Sequence, residues 1–319
     1  MRIEDYAKKS FLALKNPYDT VACVHPEIID KVSEACDIYG NAFYTGIKKT
    51  KMLPESLMTR LSGSGFLKHT ADEMAFGGRA VDTRRRNPLT GQFMTGSSSG
   101  TALNVFYGIN DLGIGTDGGG SVLAPAAALN LYGFISPLIE ADYMKQFARV
   151  STDQITFSPS AGFIARDLEV LEKAIRSALT LTEAAAPIRQ IRPERTLDIF
   201  GPREPLIAYV TEHVKKGTVL VSDEGPVDVN GIGDTIYGHF DEETGKRQRM
   251  SGKGLMRVVN MCGKTGMVIP QKGLARCTLL ICESCPEDIQ AMLLAAKDFD
   301  RGRSELIQRY FLNLNMYFE

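Results

Sequence analysis

The sequence predicts an α/β fold with a mixed sheet. Three observations lead there. Short β-branched or apolar runs alternate along the chain with longer amphipathic stretches, the pattern of strands and helices packed in layers. The 319 residues are 44% apolar and 24% charged, an ordinary globular balance with length enough for a large core. No internal repeat or low-complexity tract interrupts the alternation.

Residues 18–34 read as a lead-in followed by an amphipathic helix, with Pro26 near its start. Residues 42–51, AFYTGIKKTK, have the aromatic and β-branched residues of a strand. Lys48, taken alone, reads as a solvated strand end. Residues 55–67 read as a helix and then a strand. Residues 79–91, polar and Arg-rich, read as a long irregular loop, either a binding element or a lid. Its run Arg84-Arg85-Arg86 beside Asp82 reads as a solvated loop or a local anion contact. Residues 95–121, TGSSSGTALNVFYGINDLGIGTDGGGS, read as loop, helix, turn, short buried strand and second loop. Residues 122–132 follow as a closely packed small-residue helix, and 139–160 are irregular. Residues 163–181 read as an amphipathic helix, with Arg166, Asp167, Glu169, Glu172 and Lys173 outward. The Pro- and Arg-rich stretch 184–204 reads as a connection. Strands are expected at 218–222, 266–269 and 278–281, then a helix at 286–299. The whole chain, 1–319, reads as one domain.

A net charge of −1 provides no electrostatic footprint for nucleic acid. No run of about 18 apolar residues would span a bilayer. The first residues, MRIEDYAKKS, show no secretory signal. A cytoplasmic protein with reduced thiols is expected, and a homodimer is compatible with the sequence. The six cysteines make no disulfide framework in a chain of this length. Cys282 and Cys285 have CxxC spacing, but a zinc site needs two further ligands, so they read as strand-end thiols. No metal or organic cofactor is expected.

The two loops of residues 95–121, Gly96–Gly100 and Gly118–Ser121, bracket an apolar segment. Gly/Ser loops inside a packed region mark places where backbone N–H groups approach something closely. A serine hydroxyl is a weak nucleophile until a base takes its proton. None of the four histidines, His25, His69, His213 and His239, lies in a recognisable triad context. A neutral lysine is the alternative, if burial favours the uncharged amine. A second serine can relay the proton. Glycines before the nucleophile leave N–H groups free for an oxyanion. Lys48, a serine among 97–99, and Gly118-Gly119-Gly120-Ser121 supply every part.

These residues resemble the amidase signature family. TGSSSGTA and GTDGGGSVLAPAA are similar to its GGSSGGSA and G-[ST]-D-x-GGSIRxPAA, ungapped from Thr95 to Pro125. HTADEMAFGG at 69–78 resembles KTNMDEFAMG, and TGIKKTK resembles a strand ending in VKDN. Residues 163–171 are similar to GPMARTVED. Asn260, Gly263 and Pro270 resemble a late N-x-x-G-x-P segment. The resemblance covers most of the chain. It implies a mostly parallel central sheet with helices on both faces. It also implies an amidase that cleaves a linear C–N bond of a small-molecule amide through an acyl-enzyme.

Carried over residue by residue, Ser121 is the nucleophile, Lys48 the base and Ser97 the bridging serine, with a cis peptide before Ser98. Ser98 is the neighbouring candidate for the bridging role. Gly118, Gly119 and Gly120 form the oxyanion hole, and Asp117 orients the loop. Departures fall on Leu123 for the family's Arg, Lys49 for its Asp, and a short stretch between Lys48 and His69. Lys49 beside Lys48 is a like-charge neighbour able to depress the base's pKa. Two alternatives accompany the amidase reading: a glutaminase-type amidotransferase subunit working with a partner, and a family-derived binding or scaffold protein with little catalysis.

Overall fold

The apolar runs assemble into one large sheet covered on both faces. The computed structural model describes residues 3–183 and 188–312. Helix α1 (Ile3–Lys15) leads into β1 (Val21–Val24), α2 (Ile28–Tyr39), β2 (Phe43–Lys48), α3 (Glu55–Ser62) and β3 (Phe66–Asp72). A hairpin of β4 (Val81–Arg86) and β5 (Phe93–Thr95) precedes α4 (Ser99–Phe106), β6 (Leu112–Asp117), α5 (Leu123–Ala128) and β7 (Tyr132–Ser136). Then come α6 (Ala141–Lys145), the short pair β8 (Arg149–Val150) and β9 (Thr156–Phe157), β10 (Ser160–Ala165) and α7 (Leu168–Ala178). The last part holds β11 (Arg189–Ile191), α8 (Arg203–His213), β12 (Thr218–Glu224), α9 (Glu242–Arg249), β13 (Thr265–Pro270), β14 (Cys277–Cys282), α10 (Pro286–Phe299) and α11 (Glu305–Tyr310).

Among the described residues ten strands form the sheet in the order β1-β3-β2-β6-β10-β7-β13-β14-β12-β11. Side chains of successive strand residues point to opposite faces. Ile135, Val268 and Leu279 accordingly join α4, α5 and α8 on one side, while Phe134, Met267 and Leu280 join α3, α7 and α10 on the other. The mixed α/β architecture and the helices on both faces are as expected. The strand directions differ from expectation. Among the described residues β2–β3, β2–β6 and β11–β12 pair parallel, and the other six neighbours pair antiparallel. Two of the six come from β10, which runs back between β6 and β7, and four from β1–β3, β7–β13, β13–β14 and β14–β12. The β10 segment SAGFIA is wholly buried. A buried apolar run lacks the alternation that separates strand from helix, so residues 163–165 read as the start of the following helix.

Two further expectations change. The expected connection 184–204 ends in a helix, 203–213, which the sequence reading did not anticipate, and 184–187 of the connection lie outside the described residues. Residues 81–95 are an ordered hairpin, not an irregular lid. Arg85 is buried there and donates to Asp82 Oδ2 at 2.8 Å and to the Asp19 carbonyl at 2.7 Å. Ser99 Oγ donates to the same Asp82 oxygen at 2.6 Å, so the hairpin braces the start of α4. Removing one member of a buried ion pair leaves the other charge uncompensated. Asp82→Ala is therefore expected to cost about 3–5 kcal/mol of unfolding free energy, read as a lowered urea midpoint at unchanged slope. A loss below about 1 kcal/mol would contradict the bracing role.

All six cysteines are free thiols. Cys277 and Cys282 are buried in β14, where burial pushes both thiols well up. Among the described residues no helix is long and apolar enough to cross a membrane, and no cluster of His, Cys, Asp and Glu could hold a metal ion.

Candidate active site

Strands β2 and β6 pair in parallel, with Ile47 opposite Ile114, so their C-terminal ends lie side by side. Lys48 ends one strand and Thr116-Asp117 ends the other. The carboxyl ends of parallel strands are where open α/β sheets place their sites. Ser97 arrives from the loop between β5 and α4. Gly96 makes that approach possible: its φ is +78°, and a Cβ there would lie 2.6 Å from the Pro125 ring. Lys48 Nζ donates to Ser97 Oγ at 2.7 Å and to Thr116 Oγ1 at 2.9 Å.

Ser121 and Ser97 line one cavity of about 410 Å³, together with Lys48, Thr116, Gly118 and Gly119. Ser121 is half-buried in its wall. The Asp117 carboxylate lies beneath the glycine loop. It accepts the backbone N–H groups of Gly120 at 2.7 Å, Val122 at 2.6 Å and Leu123 at 3.2 Å. Asn260 Nδ2 holds the Gly118 carbonyl at 3.4 Å and the Ser158 carbonyl at 2.9 Å. A trans peptide whose C=O is tied to Asn260 directs the Gly119 N–H the opposite way.

Lys48 is 2% exposed. Burial lowers its pKa from 10.5 to about 7; nearby Asp117 opposes the drop and Arg149 adds to it. Lys49 is not the cause, since its side chain is solvent-exposed and lies 3.7 Å from Glu73. Burial raises the pKa of Asp117 in spite of its three N–H partners.

Several expected residues sit elsewhere than the resemblance implied. The peptide bonds flanking Ser97 are trans; the only cis bond among the described residues is Gly225–Pro226. The left-handed turn at Gly96 already delivers Ser97 to Lys48, so the ~3 kcal/mol of a non-proline cis bond is not incurred. Ser98 is fully buried below the site, its Oγ on the Thr116 carbonyl at 3.5 Å and its N–H on the Ser121 carbonyl at 3.4 Å. It ties the two loops together, while Ser97 meets the lysine. Gly120 does not line the cavity, and its N–H is taken by Asp117. Leu123 lies in the apolar core, against Val259 and Gly266, so the family's arginine position does not face this cavity.

Other residues of the wall went unnoticed in the sequence. Thr116 is the second partner of Lys48, and the motif GTD was its only signal. Arg79, paired with Asp234 at 2.8 Å, stands on another wall. Arg149 and Arg203 come from the irregular stretch and from the start of α8. No histidine lines the cavity among the described residues. His69 is buried away from it on Asn110, its pKa lowered to about 4 by burial.

A profile of the amidase family matches residues 60–216. Amidase 1 of Oryza sativa subsp. japonica is 30% identical over 118 residues, which is 35% of this chain and 26% of that enzyme. The match thus spans about a quarter of that relative's length. Among solved structures, 6-aminohexanoate cyclic dimer hydrolase aligns with a TM-score of 0.60 and 12% identity, over 98% of this chain and 94% of that one. Kluyveromyces lactis allophanate hydrolase aligns with a TM-score of 0.58 and 13% identity, over 96% and 73%. At these identities the likeness is one of fold.

Proposed function

Because the chain belongs to the amidase family, we propose that it hydrolyses a linear carboxamide through an acyl-enzyme on Ser121. All 319 residues are taken as one unit of that kind, since the sheet recruits strands from β1 to β14. The observation that carries the reading is the contact between Lys48 and Ser97 in the wall that also holds Ser121. A buried lysine with a pKa of about 7 is a base at neutral pH.

Ser121 Oγ attacks the amide carbon. Its O–H bond breaks, and the proton passes to Ser97 as Ser97 passes its own to the uncharged Lys48 amine. The carbonyl oxygen becomes an oxyanion beside the loop Gly118-Gly119, with the Gly119 N–H as one donor. When the tetrahedral adduct collapses, the C–N bond breaks. The departing nitrogen takes a proton back from Lys48 through Ser97. Water then attacks the ester carbon, gives a proton to the same pair, and releases the acid with Ser121 restored. Asp117 holds the glycine loop in shape throughout.

An acyl-enzyme can be intercepted. With a panel of primary amides, added hydroxylamine is expected to divert product from the acid to the hydroxamate. Ammonia release and hydroxamate would be measured together. Amide hydrolysis that yields no hydroxamate at any hydroxylamine concentration would mean direct attack by water and would refute the covalent step.

A further inference from the structure

The cavity walls carry more positive than negative charge. Arg79, Arg149 and Arg203 line it, against one carboxylate among the described residues, Asp234, which Arg79 already holds. Arg149 has no ion-pair partner among the described residues; its side chain meets Met52 Sδ at 3.2 Å. Arg203 is the unusual member. Its side chain is 9% exposed, at the first position of α8. Its Nη1 donates to Asp153 at 3.0 Å, and Asp153 also faces His239 Nε2 at 3.4 Å. Its Nε is a buried donor with no acceptor among the described residues. Nη2 lies 3.8 Å from where a Cβ on Gly119 would be. The pairing through Nη1 leaves Nε and Nη2 without an acceptor among the described residues, and Nη2 lies beside the proposed oxyanion loop. The Nε–Nη2 edge is a planar pair of parallel donors, the shape that takes a carboxylate side-on. A buried donor left unmatched costs free energy, which a bound acceptor would recover.

We infer that the amide cleaved here also bears a free carboxylate, held side-on by the Nε–Nη2 edge of Arg203, with Arg149 adding charge from the exposed rim. This rests on the amidase reading for the reaction, but the binding site stands on its own geometry. Burial also presses the Arg203 guanidinium toward release of its proton, a cost that a second anion offsets.

The test is calorimetric titration of succinamate and n-butyramide into the Ser121→Ala variant, which removes turnover from the measurement. Succinamate is expected to bind at least tenfold more tightly than butyramide. Arg203→Gln is expected to erase that preference, Arg203→Lys to restore part of it, and Arg149→Gln to reduce it less. Circular dichroism checks that each variant is folded. If Arg203→Gln unfolds, the preference itself and its partial retention in Arg203→Lys decide the matter. Equal binding of the two compounds would overturn the proposal. Ammonia release by the wild-type enzyme separates the two readings. Succinamate bound but no amide hydrolysed leaves the carboxylate site standing and removes the amidase reading. Butyramide hydrolysed as efficiently as succinamate removes the carboxylate site alone.

Discussion

Ser121→Ala is expected to lower amide hydrolysis by roughly 10⁶-fold, the scale seen when a serine nucleophile is deleted from an acyl-transfer site. The loop that carries Ser121 is held from beneath by the three N–H bonds to Asp117 and from the side by Asn260. Deleting one half-buried hydroxyl leaves these bonds intact. The melting temperature should therefore move little while turnover collapses. The measurement is initial-rate ammonia release from the best amide of a panel, alongside a thermal melt. Retention of more than a tenth of wild-type kcat in a folded Ser121→Ala enzyme would remove Ser121 from the chemistry.

The second large effect belongs to Lys48. The base works only when uncharged. With a pKa of about 7, roughly half of Lys48 is neutral at pH 7, against about one molecule in 3000 at the ordinary value of 10.5. Its activity is therefore lost as pH falls through about 7 and fully present above it. The profile of kcat/KM should climb about tenfold per pH unit on the acid side and level off near pH 8. Arg149 contributes to the depressed value, so Arg149→Gln should move the climb to higher pH. Lys48→Met should cost about 10²–10⁴-fold and flatten the profile.

The glycine loops were legible because backbone requirements are written directly in sequence. The turn at Gly96 tolerates no side chain, and the run Gly118-Gly119-Gly120 spaces its N–H groups at a fixed interval before Ser121. Lys48 was legible only through resemblance. Nothing local distinguishes it from Lys49; the difference is tertiary, since one is sealed between β6 and the Ser97 loop and the other reaches solvent. Strand β10 was hidden because burial on both faces erases the alternation that marks a strand. Its absence from the reading also made the sheet look more parallel than it is. Arg149 and Arg203 were invisible for another reason. They reach the site from segments far along the chain, and an arginine in a Pro-rich stretch carries no mark of burial. The implied cis bond at Ser97 failed where a family geometry was carried over without the local backbone that would need it.

Labelling with a fluorophosphonate, followed by peptide mapping, tests directly whether Lys48 activates Ser121. Modification is expected at Ser121, rising with pH through about 7 and lost in Lys48→Met. Labelling that is absent from the folded wild-type protein, or that persists unchanged in Lys48→Met, would contradict that activation.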